Sequence, residues 1–212
     1  MKRVLLSLWL ILMAHLPTQA GEAPVVLVFG DSLSAAYGID PAAGWTALLQ
    51  RRLRERGHPH QVANASISGD TTAGGLTRLP AALERYRPAI LILELGANDG
   101  LRGLSLEQAK RNLARMIDLG RQAGARVLLL GMRMPPNLGP LYTGKFRAMY
   151  LDLAQEKGVP LVPFLLEGVA RDPQLMQADG LHPNAAAQPR LLENVWPALE
   201  PLLTAAEGGE ES

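Results

Sequence analysis

The sequence of 212 residues contains no cysteine and few aromatic residues, and its charges nearly cancel. Without cysteine the chain can form no disulfide, thiolate metal site, cysteine nucleophile or cysteine-linked lipid. Its 21 lysine and arginine residues face 20 aspartate and glutamate residues, so the overall charge favours neither nucleic acid nor an anionic membrane as a partner. Hydrophobic residues make up 48% of the chain and charged residues 19%, which excludes a disordered protein.

The first twenty residues have the features of a secretion signal. Lys2 and Arg3 precede an apolar run over residues 4–16, and the segment ends in small residues at Ala20. This run is shorter than the roughly 20 residues of a membrane-spanning helix, so we expect no stable membrane anchor. The pattern predicts a signal peptide over residues 1–20, cleaved after Ala20, and a periplasmic mature protein.

Five apolar runs alternate with helical patterns along the rest of the chain. Four of the five show no polar–apolar alternation, which is typical of strands buried on both faces of a sheet. The alternation predicts an α/β domain, a parallel sheet between helices, over residues 21–206, with a disordered polar tail at 207–212. Pro197 and Pro201 are expected to interrupt the last helix. The runs are residues 25–29, 61–65, 90–95, 127–130 and 161–165.

Ligands of such sheets bind beyond the carboxyl ends of the strands, and small polar residues follow the first three runs. Ser32 comes directly after the first strand, where we expect a helical turn to begin, and it is the candidate nucleophile. Hydrolysis of an ester also needs donors for the developing oxyanion. The backbone amides of Ser32 and Gly69 and the side chain of Asn98 are the candidates for that role.

A serine nucleophile needs a base, and the histidines leave one choice. His15 lies in the predicted signal, while His58 and His60 precede the second run, at the opposite edge of the sheet. His182 follows the fifth run, and Asp179 three residues earlier can fold back to orient the imidazole. Each of these segments alone is also compatible with an ordinary turn.

Four short segments together resemble the blocks of the SGNH, or GDSL, hydrolase family. They are residues 30–33 (GDSL), 68–72 (SGDTT), 96–99 (GAND) and 179–184 (DGLHPN). The resemblance extends over about residues 24–203 and is strongest to the bacterial periplasmic thioesterase I, arylesterase and lysophospholipase subgroup. It implies a three-layer, flavodoxin-like α/β/α fold with strand order 2-1-3-4-5. It also implies Ser32, His182 and Asp179 as a catalytic triad, and an oxyanion hole made by Ser32, Gly69 and Asn98.

The same resemblance implies a serine esterase acting on aryl esters, acyl-CoA and lysophospholipids through an acyl-serine intermediate. Neither a cofactor nor a metal is expected, and the expected partner is a small acyl substrate bound by a monomer. Met132, Met134, Leu138 and Leu141 follow the fourth run, and we predict that they bind the acyl chain. Two alternatives remain: an esterase that removes acetyl groups from polysaccharide, and a non-catalytic periplasmic module that holds an acyl chain.

Overall fold

The computed structural model describes residues 23–204, and everything below concerns these residues. The predicted signal peptide at 1–20 and the predicted tail at 207–212 lie outside them and stay predictions, as do the domain boundaries. Within 23–204 no helix is both long and apolar enough to cross a membrane.

Five parallel strands form one sheet in the order β2-β1-β3-β4-β5, which confirms the predicted topology. The centre of the sheet is β1 paired with β3, where Val26 lies opposite Ile90 and Phe29 opposite Leu93. The strands are β1 Val25–Gly30, β2 Gln61–Asn64, β3 Ile90–Glu94, β4 Arg126–Leu130 and β5 Leu161–Val162.

Six α-helices connect and cover the strands. Contacts of α1 with α6, and of α4 with α2 and α5, build helical layers on the sheet. The helices are α1 Trp45–Glu55, α2 Thr72–Tyr86, α3 Ala97–Leu101, α4 Leu106–Gln122, α5 Pro140–Lys157 and α6 Gln188–Thr204.

The core lies on both faces of the central strands. All five residues of β3 are buried, and so are the last five of β1. Because neither face meets water, these strands carry apolar side chains at successive positions instead of alternating with polar ones. All neighbouring strands are parallel, so the loops that follow them lie along one edge of the sheet.

Two expectations about secondary structure are wrong. The fifth run predicted a strand over residues 161–165, but β5 ends at Val162 because Pro163 has no amide hydrogen to continue the ladder. The last helix is not interrupted, since α6 continues through Pro197 and Pro201. Both prolines lie on its exposed side, where water can bind the carbonyl groups that lose their partners, and a row of buried apolar residues on the other side packs the helix onto the sheet.

Candidate active site

Ser32 lies in a series of turns that follows β1, and the helical turn expected there does not continue into a helix. One helix-like bond forms, from the amide of Ala35 to the carbonyl of Asp31 at 2.9 Å. The backbone then turns away, because Ala36 and Gly38 both have positive φ values, +58° and +73°. A right-handed helix cannot contain such residues, so the chain leaves the sheet edge as a compact loop with Ser32 at its start.

His182 and Asp179 reach Ser32 from the loop that precedes α6. Ser32 Oγ is 2.9 Å from His182 Nε2, and His182 Nδ1 is 2.6 Å from Asp179 Oδ2. The structure therefore brings together the three residues that the sequence named as nucleophile, base and orienting acid, although 150 residues separate Ser32 from His182. This linear arrangement lets the imidazole accept a proton on one nitrogen while the carboxylate holds the other.

The Asp179 carboxylate is fixed by its own loop. Its second oxygen accepts hydrogen bonds from the backbone amides of Leu181 and His182, at 2.9 and 3.0 Å. These bonds, led by the one from the His182 amide and joined by the imidazole, lower the pKa of Asp179 to about 2. The group is therefore a carboxylate at any pH at which the neutral imidazole could act as a base.

Asn98 lies in the short helix α3 and not in a loop. Gly96 begins this helix with a φ of +117°, and a side chain there would collide with the hydroxyl of Tyr150. The Asn98 amide donates one hydrogen bond to Asp31 Oδ2 at 3.0 Å. Because a side-chain amide carries two N–H groups, the second is available to a ligand.

Gly69 lies in the loop after β2 in a conformation that favours glycine, with a φ of +79°. Its carbonyl accepts a hydrogen bond from Arg102 Nη2 at 2.8 Å, which ties this loop to the end of α3. A second arginine, Arg78, binds Asp70 at 2.6 Å and the carbonyl of Gly30 at 3.2 Å. The two arginines therefore connect the loop of Gly69 to the segments that carry Ser32 and Asn98.

Two buried carboxyl groups lie directly behind the Ser32 turn. Glu94, at the end of β3, is wholly buried and accepts hydrogen bonds from the amide of Asp31 at 3.2 Å and from Ser34 Oγ at 2.9 Å. Burial, and then the neighbouring charge of Asp31, hold the pKa of Glu94 well above its usual range. Burial also raises the pKa of Asp31 to about 6, although bonds from Leu33 and Asn98 oppose the shift.

A cavity of about 790 Å³ opens beside Ser32 and is lined by Asn98 and His182 as well. Met132 and Met134, two of the predicted substrate-binding residues, form part of its wall. Leu138 and Leu141 do not line it, and the Leu141 side chain is 74% exposed. The walls are mixed: Phe164, Leu166 and Met176 are apolar, whereas Arg133, Arg147 and Arg171 carry charge.

A model of the GDSL-like Lipase/Acylhydrolase family matches residues 28–189, which include every residue of this site. The chain belongs to this family. The resemblance inferred from the sequence is therefore confirmed, and the protein is a member of a class of enzymes that act on ester bonds.

Named relatives of this GDSL-like hydrolase are similar over almost their whole length. Esterase TesA of Pseudomonas aeruginosa is 55% identical over 203 residues, which cover 96% of this chain and 100% of that protein. Thioesterase 1/protease 1/lysophospholipase L1 of Escherichia coli K12 is 43% identical over 185 residues, covering 87% and 88% of the two chains. The crystal structure of TesA superposes with a TM-score of 0.83 at 56% identity and covers 84% of this chain and 99% of that one.

Several residues that support the site of this hydrolase escaped the sequence analysis. Glu94 is the only charged residue in an otherwise apolar strand, and that isolation was a usable signal of a buried role. Arg78 and Arg102 carry no comparable signal, because an arginine in or next to a helix is ordinary. Among residues 23–204, no cluster of three or more histidine, aspartate or glutamate side chains could hold a metal ion.

Proposed function

We propose that this protein is a serine esterase that hydrolyses carboxylic esters and acyl thioesters through an acyl-serine intermediate. One observation carries the proposal: Ser32 Oγ, His182 and Asp179 form a continuous series of hydrogen bonds beside a cavity whose walls are partly apolar and partly charged. A module that only holds an acyl group does not need a serine, a histidine and an aspartate joined by hydrogen bonds. The esterase and thioesterase names of the relatives agree with hydrolysis.

In the first half of the reaction, Ser32 Oγ attacks the carbonyl carbon of the ester while its proton passes to His182 Nε2. Asp179 stabilises the imidazolium that forms, because it is a carboxylate already bonded to Nδ1. The tetrahedral intermediate then breaks its bond to the leaving alkoxide or thiolate, which takes the proton from His182 Nε2. The product of this half is an ester between Ser32 and the acyl group.

In the second half, water attacks the acyl-serine with His182 again accepting the proton. The carboxylic acid leaves and the proton returns to Ser32 Oγ. In both tetrahedral intermediates the oxyanion accepts bonds from the backbone amides of Ser32 and Gly69 and from the free N–H of Asn98. The bond from Asn98 to Asp31 fixes the direction of that amide before substrate arrives, and such preorganised donors lower the barrier most.

The cavity supports a substrate with an apolar acyl chain, which Met132 and Met134 would contact as flexible wall residues. Thioesters and single-chain phospholipids belong to the proposal because one relative is named a thioesterase and lysophospholipase. Leu138 and Leu141 would contact only those parts of a substrate that extend beyond the cavity. A periplasmic location and a monomer complete the proposal, the first resting on the signal pattern of residues 1–20.

The test is the turnover of p-nitrophenyl butyrate and octanoyl-CoA by purified single variants. Ser32→Ala and His182→Ala should each lose nearly all kcat, since nucleophile and base act as a unit. Two matched controls, Ser68→Ala at the same sheet edge and His58→Ala at the opposite one, should retain it. A phosphonate inactivator should label Ser32 alone. Labelling of Ser34 or Ser68, or an active Ser32→Ala enzyme, would refute the proposed triad.

A further inference from the structure

Tyr37 places its ring against the imidazole of His182. The two ring centroids are 4.6 Å apart and the planes are inclined by 41°. Half of the tyrosine side chain, 51%, is exposed, and its hydroxyl forms no hydrogen bond with any residue in 23–204. The aromatic face, and not the hydroxyl, therefore makes the contact with the histidine.

The backbone of Tyr37 is held from both sides. Its amide donates a hydrogen bond to the carbonyl of Ser32 at 3.2 Å, and its carbonyl accepts one from Gln177 Nε2 at 2.7 Å. Gln177 lies in the other loop: its own amide donates to the carbonyl of His182 at 2.7 Å, and Nε2 also reaches the carbonyl of Pro183 at 3.1 Å. Tyr37 and Gln177 thus connect the backbone of the serine to that of the histidine.

The turn around Tyr37 contains a strained residue, Ala36, directly before the tyrosine. Ala36 has a φ of +58°, a left-handed conformation that is uncommon for a residue with a side chain, and it is buried. Gly38 has a φ of +73°, and a Cβ atom there would lie 2.2 Å from Gln177 Oε1. A left-handed alanine persists only where surrounding contacts hold it, whereas Gly38 adopts its positive φ without strain. At this turn the contacts of the neighbouring Tyr37 lead to the candidate nucleophile and base.

We propose that Tyr37 is a positioning residue for His182, and that Gln177 holds Tyr37 in place. The proposal rests on the proposed function, in which His182 is the base. Asp179 holds Nδ1 and Ser32 Oγ contacts Nε2, but the bond to Ser32 is given up when the serine reacts, and the bond to Asp179 alone leaves the ring free to tilt about it. The tyrosine face blocks that tilt on one side and keeps Nε2 in line with Ser32 Oγ. It also lies where an aromatic face attracts the imidazolium formed during turnover.

The first test compares Tyr37→Phe with Tyr37→Ala. Phenylalanine retains the aromatic face, so it should retain kcat. Alanine removes the face and should lower kcat by about ten- to a hundredfold, the cost expected for a catalytic group displaced by about 1 Å. KM should stay within about twofold for both an aryl ester and an acyl thioester. Each kcat is divided by the number of active sites titrated with a p-nitrophenyl phosphonate, so that misfolded enzyme does not count.

The second test removes the connection and not the ring. Gln177→Leu should lower kcat in the same direction but less, and the double variant Tyr37→Ala/Gln177→Leu should be little worse than Tyr37→Ala alone. Such non-additivity is expected of two residues that act through one contact. Tyr86→Ala, at the end of α2 and far from the site, is the matched control: it should lower thermal stability without lowering kcat per titrated site.

Three results would overturn the proposal. An unchanged kcat in Tyr37→Ala would show that the ring does not position the base. A rise in KM limited to aryl esters would make Tyr37 a contact of the leaving group, and a Tyr37→Phe variant as slow as Tyr37→Ala would assign the effect to the hydroxyl. Failure of the proposed function is separate, because it appears as activity that survives Ser32→Ala in the unmodified Tyr37 background.

Discussion

Asp31 and Glu94 place two acidic side chains where a protein can least easily hold charge. Both are at most 1% exposed, and the backbone amide of Asp31 donates a hydrogen bond to Glu94 just before Ser32. Ionised Asp31 is useful because it orients Asn98, yet burial opposes its ionisation and raises its pKa to about 6. The same carboxylate that prepares the candidate oxyanion hole therefore costs stability at neutral pH.

This cost predicts a pH dependence of folding. Between its ordinary pKa of 3.8 and its folded pKa of about 6, Asp31 binds more protons in the folded protein than in the unfolded chain. Its contribution to stability is therefore present below that window and is lost as the pH rises through it. Asp179, with a pKa of about 2, has the opposite sign: its contribution is lost as the pH falls below 3.8 towards 2.

The pH dependence that Asp31 contributes to stability is tested by urea unfolding of Asp31→Asn and of the parent protein at pH 4.5 and pH 7.5. The free energy of unfolding of the variant, relative to the parent, should rise by about 1–3 kcal/mol between the two pH values. Asp152→Asn, an exposed residue on α5, is the control and should show no such change. A difference independent of pH would mean that Asp31 keeps an ordinary pKa in the folded protein.

At the same scale, the sequence predicts the three residues of the proposed triad, and it does not predict the residues that support them. Elimination among four histidines singles out His182. Ser32 and Asp179 are candidates by position, one after the first strand and one three residues before His182, and the resemblance to the SGNH hydrolases implies the three together. Tyr37 is recognisable only by its contact with His182, 145 residues away in the chain. The contact depends on the left-handed conformations of Ala36 and Gly38. An alanine in a sequence does not predict such a conformation.

At the scale of secondary structure, the buried strands were the most predictable elements. Continuous apolar runs located β1, β3 and β4 to within one residue at each end. The edges of the sheet were less so: β5 is two residues long because Pro163 follows it, and its remaining apolar residues pack as a loop. In α6 the expectation from Pro197 and Pro201 was wrong because tertiary packing of one helix face outweighs the two backbone hydrogen bonds that the prolines remove.

The parallel pairing of β1 with β3, in which Gly30 lies opposite Glu94, predicts a strong effect at Gly30. A Cβ atom there would lie 2.5 Å from Glu94 Oε2 and 2.9 Å from the Glu94 carbonyl oxygen, so Gly30→Ala should destabilise the protein by about 1–3 kcal/mol and displace Ser32. Gly144→Ala is the matched control. That glycine is exposed within α5, with no atom near its would-be Cβ, and alanine there should stabilise by about 0.5–1 kcal/mol.

Thermal unfolding and esterase assays of both variants check this prediction. Gly30→Ala should unfold at a lower temperature and lose kcat per titrated active site. Gly144 lines the cavity, so Gly144→Ala is a control for stability alone and should unfold at a higher temperature. Equal behaviour of the two variants would show that β1 can move away from Glu94 without consequence for the serine.

For the whole molecule, one rule located the site: loops at the carboxyl ends of parallel strands meet at one edge of the sheet. Applied to the sequence alone, the rule predicts that Ser32, Asn98 and His182 lie together. It does not describe the walls of the cavity, because these depend on how the long loops fold against one another. Leu138 and Leu141 lie in the same segment after β4 as Met134, yet of these three residues only the methionine lines the cavity.

The cavity predicts how hydrolysis depends on the acyl chain. Each methylene buried against the wall contributes at most about 0.8 kcal/mol, so kcat/KM should rise no more than about fourfold per carbon from acetyl towards octanoyl p-nitrophenyl esters, and then level off. Met134→Ala should flatten this rise because it removes a flexible wall residue. Leu151→Ala, an exposed leucine on α5, should not alter it. If the enzyme instead cleaved only acetyl esters and left octanoyl esters intact, the cavity of about 790 Å³ would not be an acyl-chain site. That result would favour a polysaccharide O-acetyl esterase.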